Sequence, residues 1–242
     1  MMKKPLILVG GGGHCKSVID MAESAGYTIL GILDKPEVVG KHVFGYEIIR
    51  TDDDMAKYAG KAVFVVTVGQ IKSPDLRIKL HKMLAEAKCE LATIIASTAY
   101  VSKYAIIGEG TVVMHNALVN AVAKVGKGCI INTFANIEHD VEVGDYCHIS
   151  TGGMVNGDCI VGDRCFIGSQ SIIANRITVC RDTIVGTGSV VVKDIPFGCL
   201  CYGNPAKAIK KLAKGADYEN IDSVMGGTLE NDLNNLLHKR RA

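Results

Sequence analysis

The chain has no tryptophan, and aromatic residues make up only 5% of its 242 positions. So few large rings suit a narrow core lined by aliphatic and small side chains. Proline is scarce too, with 5 in the whole sequence. No apolar run approaches membrane-spanning length. The opening Met-Met-Lys-Lys-Pro leads into an apolar stretch, Leu6 to Val9, that is too short for a secretory signal, so a cytoplasmic location is expected. Neither sign of charge dominates. With 27 Lys and Arg against 25 Asp and Glu, the net charge of +2 gives no electrostatic case for nucleic acid or an anionic membrane as partner. Nine cysteines contain no CxxC pair, which argues for structural thiols rather than a zinc or redox site.

What is present is a period of six. Val101, Ile107, Val113, Val119, Val125, Ile131, Ile137, Val143, Ile149, Val155, Val161, Ile167, Ile173, Val179, Val185 and Val191 recur without a break. Two residues before each aliphatic stands a second lane, small at fourteen of sixteen positions, which includes Cys129, Cys147, Cys159 and Cys165. Strand side chains alternate sides, so both lanes face one interior. A hexapeptide period describes neither a 3.6-residue helix nor a hairpin sheet; three hexapeptides per coil make a triangular solenoid of about five coils. Glycine often follows the aliphatic, as at Gly108, Gly126, Gly144, Gly162, Gly168 and Gly186, where the chain is expected to bend.

Residues 1–92 read differently, as a small α/β domain. Strands are expected at Leu6–Val9, Tyr27–Asp34, Ile48–Ile49 and Lys61–Val68. Helices are expected at His14–Ala25, at Asp52–Ala59 behind a Thr51 or Asp52 cap, and at Pro74–Ala87. Such alternation implies a parallel sheet with ligands beyond its C-terminal strand ends. The solenoid is expected over 93–207. A tail, 208–242, follows, in which Leu229, Leu233, Leu236 and Leu237 would form one face of a short helix.

Two candidate sites emerge. Gly10 to Gly13 and His14 lie between the first strand and first helix, where glycines let the backbone approach a phosphate and free helix N–H groups favour its charge. The spacing departs from GxGxxG, which points away from a dinucleotide cofactor. Asp34, at the end of the second strand, is placed to meet a ribose or base. In the solenoid, His139 stands two residues after Ile137 between Glu138 and Asp140, so it should project from a corner beside carboxylates that raise its basicity. His148 precedes Ile149 and should also face outward, and Asn132 follows Ile131 one hexapeptide before the His139 corner. His115, His139 and His148 are not spaced one coil apart, and no metal is expected.

These residues together resemble the sugar O- and N-acyltransferases, typified by sialic acid O-acetyltransferases and UDP-amino-sugar N-acetyltransferases. The likeness runs from about residue 5 to 207. It rests on Gly13-His14 after the first strand, on the hexapeptides, on Asn132-Thr133-Phe134-Ala135-Asn136-Ile137-Glu138-His139-Asp140, and on Gly203-Asn204-Pro205-Ala206-Lys207. The resemblance implies a Rossmann-like parallel sheet followed by a left-handed parallel β-helix, a homotrimer, and acetyl-CoA in the groove between prisms. It puts the general base on His139 with Asp140 and Asn132, and contacts to acetyl-CoA on His148, Ser169 and Thr187. The nucleotide-sugar pocket would comprise Gly12, Gly13, His14, Asp34 and Lys35. Three positions depart from the pattern. Cys15 stands where glycine is usual, Lys35 replaces a second acidic residue, and Asp140 replaces Glu. The expected reaction is N-acetylation of a nucleotide-activated amino sugar. O-acetylation of a sialic acid hydroxyl and a non-catalytic trimeric scaffold are the alternatives.

Overall fold

The computed structural model describes residues 4–71 and 73–212. The amphipathic segment expected at 229–237 lies outside them.

The N-terminal part is a parallel sheet edged by one hairpin strand. Its elements are β1 (Leu6–Val9), α1 (Gly13–Ser24), β2 (Ile29–Asp34), β3 (His42–Val43), β4 (Tyr46–Thr51), β5 (Val63–Val66), α2 (Asp75–Glu86) and β6 (Glu90–Leu91), in sheet order β3-β4-β2-β1-β5-β6. β1 pairs in parallel with both β2 and β5, and all four of its residues are buried, as a central strand covered on both faces must be. The segment Asp52–Tyr58 is a 3-10 helix rather than an α-helix, and no side chain caps it. Three consecutive aspartates at its start are poor helix formers.

The remainder is a left-handed parallel β-helix. Two-residue strands stack into three faces. The first face runs from Ile94–Ile95 through Ile130–Ile131 and His148–Ile149 to Ile184–Val185 and is closed by the antiparallel pair Cys199–Gly203 and Ala206–Lys211. The second runs from Tyr100–Val101 to Val190–Val191, and the third from Ile106–Ile107 to Thr178–Val179. Successive layers pair eighteen residues apart, as in Val113↔Ile131 and Ile131↔Ile149. Both inward lanes form one continuous core, from Val113 and Ala117 to Val185 and Val191. The lane cysteines are free and donate their thiol hydrogens to carbonyls of the neighbouring coil, Cys129 to Gly144 at 3.1 Å and Cys147 to Gly162 at 3.0 Å.

The glycines after the aliphatics do not serve the expected bend. The left-handed backbone sits three residues after each aliphatic from Ile107 to Val185 instead, at Gly110, Asn116, Val122, Gly128, Phe134, Asp140, Tyr146 and onward to Gly188. The glycine directly after the aliphatic is required by the approach of the next coil. A Cβ on Gly108 would lie 2.5 Å from the backbone of Gly126, and one on Gly168 would lie 2.6 Å from the nitrogen of Thr187.

The N-terminal domain seats on the first face. Ile94, Val112 and Ile130, which point away from the prism interior, join Val18, Ile19 and Ala22 of α1 in one buried cluster. Higher up, Phe166 and Ile184 are covered by Leu200 and Leu212 of the closing hairpin. The outward side chains of this face are therefore buried and, His148 excepted, apolar, unlike those of the other two.

Candidate functional site

Three places in the fold gather the chemistry. The first is the glycine loop. Gly10 has φ of +104°, and a Cβ there would meet Val68 at 2.6 Å, so this glycine is demanded by the fold. Gly11 donates its N–H to Asp34 Oδ2 at 2.6 Å, while Asp34 Oδ1 accepts from the Lys35 N–H at 2.7 Å. Asp34 thus fastens the loop to the end of β2, and the Lys35 side chain stands in solvent. Gly12 and Gly13 are bare for no internal reason, since a Cβ on either would find nothing within 4 Å. They border open space at the N-terminus of α1, which has no side-chain cap and no acidic residue in its first turn. Its leading N–H groups are thus open to an anion. Cys15, in place of glycine, packs fully buried in the core beneath α1.

The second is a buried polar cluster where the domains meet. His148 faces away from the prism interior, but it is buried rather than exposed, because the N-terminal domain covers this face. Its Nδ1–H donates to the main-chain oxygen of Gln70, its Nε2 lies 3.1 Å from Asn132 Nδ2, and its ring meets Phe166 edge-on. Burial pushes its pKa down to about 4. His14 has an Nε2 shut off from solvent without a partner, as has Gln70 Oε1. Burial first, then the charges of Arg77 and His148, lower the His14 pKa to about 3. Two orphaned buried polar atoms therefore lie close to the open glycine loop.

Asn132 belongs to this cluster and not beside His139. Its amide nitrogen meets His148, and its Oδ1 accepts the Thr133 N–H at 2.7 Å, so both ends are engaged. Above it on the same edge, Ser150 Oγ and Ser169 Oγ are 2.9 Å apart, and exposed Thr187 stacks over Gly168. The residues expected at acetyl-CoA therefore climb one edge of the prism, between the first and second faces.

The third is His139, on the next edge, between the second and third faces. It is exposed, and Nδ1–H donates to Asp140 Oδ2 at 2.9 Å. That bond is the main reason its pKa is raised above the ordinary histidine value, and Nε2 keeps the free lone pair. Glu138 is not part of the pair. Its carboxylate accepts from Asn120 at 2.8 Å and Asn136 at 3.2 Å. The ring rests over Gly157 of the next coil, where a Cβ would stand 2.7 Å from Nε2. Among the described residues no group of three or more His, Cys, Asp and Glu side chains is arranged to hold a metal.

Sequence reasoning missed Gln70, Arg77, His81 and Tyr146. The position of Gln70 one residue beyond Gly69, at the C-terminal end of a parallel strand, was the available signal.

Comparison with known proteins gives a consistent relationship. Residues 5–84 match the PglD N-terminal domain. The acetyltransferase domain of PglB from Neisseria gonorrhoeae is 32% identical, with a TM-score of 0.79 over 86% of this chain and 100% of that one; it has also been solved with acetyl coenzyme A. PerB from Caulobacter crescentus, in complex with CoA and GDP-perosamine, is 32% identical, with a TM-score of 0.79 over 85% of this chain and 97% of that one. WeeI from Acinetobacter baumannii shares the fold at 21% identity and a TM-score of 0.62 over 85% of this chain and 99% of that one. An uncharacterised protein of Acanthamoeba polyphaga mimivirus is 33% identical over 103 residues, which are 43% of this chain and 20% of that protein's length. The chain belongs to the hexapeptide-repeat sugar acyltransferases that carry a PglD-type N-terminal domain.

Proposed function

We propose that the protein transfers an acetyl group from acetyl-CoA to an amino group of a nucleotide-activated sugar. The observation that carries this reading is the division of labour in the geometry. An anion-ready glycine loop adjoins a buried polar cluster, and a basic, solvent-facing imidazole stands on a separate prism edge. PglB and PerB relatives solved with acetyl-CoA or with CoA and a nucleotide sugar support the same assignment.

In this reading the nucleotide diphosphate lies over Gly12 and Gly13 at the start of α1, held by main-chain N–H groups. The sugar lies next to the His14 and Gln70 segment. Acetyl-CoA follows the edge of Ser169 and Thr187, its thioester end near His148. Both nitrogens of His148 are engaged and the ring stays neutral, so it shapes the pocket and does not move the proton. The substrate amine attacks the thioester carbonyl carbon, His139 Nε2 takes the proton the amine loses, and the C–S bond breaks. The imidazolium then returns its proton to the departing sulfur. Holding both substrates together supplies much of the rate, and no acyl-enzyme is needed.

Within one chain His139 occupies a different edge from the acetyl-CoA column, with the second face between them. That face exposes Tyr100, Met154 and Ile172, flanked by Phe134 and Val192. A homotrimer packed through this apolar surface brings the His139 edge of one copy to the acetyl-CoA edge of the next. The decisive assay incubates the protein with acetyl-CoA and a panel of UDP-, GDP- and dTDP-linked amino sugars and follows free thiol release. Release with sialic acids but with no amino sugar would replace N-transfer by O-transfer, and absence of acetyl-CoA binding would leave only a scaffold.

A further inference from the structure

Arg77 is the largest fully buried side chain among the described residues, and it has no carboxylate partner there. Its donors end on main-chain carbonyls: Nε on Gly128 at 2.7 Å, and Nη1 on Val66 at 2.8 Å and Val68 at 3.0 Å. Nη2 points at Gly110 from 3.5 Å. Val66 closes β5 and Val68 follows it on the way through Gly69 to Gln70, whereas Gly110 and Gly128 are corners of the prism one coil apart. The next corner of that column is Tyr146, whose main-chain oxygen accepts from Gln70 Nε2 at 2.8 Å.

The column is shaped for this docking. A Cβ on Gly110 would stand 2.9 Å from His81 Nε2, and one on Gly128 would stand 2.6 Å from the Tyr146 ring. His81 in turn meets that ring edge-on at 5.4 Å between centroids. A buried, unpaired cation is a poor choice for packing alone, since an apolar side chain of similar volume avoids the desolvation cost. A planar fork of five N–H groups can instead fix several carbonyls of two domains at set directions, which an ammonium cannot.

We propose that Arg77 is a positioning residue for the transfer reaction, its guanidinium locking the Gly69–Gln70 loop onto the Gly110–Gly128–Tyr146 corner so that the Gln70 carbonyl holds His148 in one tautomer beside His14. The role in transfer rests on the function proposed above; the effect on the His148 tautomer does not.

The test uses the full chain labelled with 15N-histidine, with the His148 signals assigned by His148→Gln. Wild type shows a neutral ring protonated at Nδ1. Arg77→Lys keeps the charge but loses the fork; in the folded variant the His148 pattern moves to a mixture of tautomers. Its kcat falls roughly tenfold to a hundredfold, with the KM for acetyl-CoA unchanged. A folded Arg77→Lys protein with wild-type His148 shifts and wild-type kcat overturns the proposal. If that variant does not fold, Gln70→Ala carries the test, because it removes the tie to Tyr146 without burying an unpaired charge. The same tautomer change supports the clamp, and an unaltered His148 signature overturns it. If wild type acetylates no acceptor, the functional reading falls, and the nitrogen shifts still decide whether the clamp exists.

Discussion

Asp140 reaches back to Nδ1 of His139 at 2.9 Å from a corner residue whose own φ is 59°. Adjacent residues on a regular strand point to opposite sides, so the pair meets only because the left-handed corner falls between the second and third faces. In the proposed reaction the acid limb of kcat/KM should therefore have its midpoint above the ordinary histidine value, since a general base at His139 would work only when neutral. Asp140→Asn should move that limb to lower pH and reduce the plateau rate. His139→Ala should lower kcat by about 10²- to 10⁴-fold. Rate profiles from pH 5 to 9 on the three proteins check all of this.

Gly157 supplies a steric test of the same imidazole. Its missing Cβ would overlap the far end of the His139 ring, which can swing away into solvent. Gly157→Ala should therefore leave thermal stability near wild type and depress kcat by displacing the ring. A variant with full activity would show that the ring's resting place does not matter.

Gly108 and Gly126 predict the opposite combination. A Cβ at either position collides with the backbone of the next coil, which has nowhere to go. Gly126→Ala should cost about 1–3 kcal/mol, read as a lower midpoint in urea. This contrast separates glycines that serve packing from the pair, Gly12 and Gly13, whose bareness faces open space.

The prism was legible because a six-residue period writes its inward lanes directly into Val101 to Val191. What lies outside the prism was not. The period says that His148 points away from the interior, but burial there depends on the N-terminal domain, whose seating involves residues such as Val18 and Arg77 with no periodic signature. For the same reason Asn132 was expected at His139, its neighbour along the chain, whereas stacking joins it to His148 sixteen residues on. The corner glycines were expected to bend the chain because glycine is the usual sign of a left-handed φ. Here that conformation falls at a different position, held by Asn, Asp, Arg, Gln, Tyr, Val and Phe as well as by Gly110, Gly128, Gly152 and Gly188, and the glycines directly after the aliphatics answer to the spacing between coils.

The histidines of the domain junction should shape the response of the fold to acid. In the native protein His14 is lowered to about 3, and His81 and His148 to about 4, with burial the leading cause in each. In the unfolded chain all three titrate at about 6.5. Below that value the unfolded state binds protons that the native state refuses, so stability is fully present above it and declines as pH falls toward 4 and then 3. The slope should approach three protons, or roughly 4 kcal/mol per pH unit at its steepest. Arg77 stays charged throughout and adds nothing to it. Urea unfolding at pH 7, 6, 5 and 4.5 measures the slope, and His81→Gln should remove about one proton from it. A stability that holds level from pH 7 to 4.5 would mean that the junction admits water and that these rings are not held neutral.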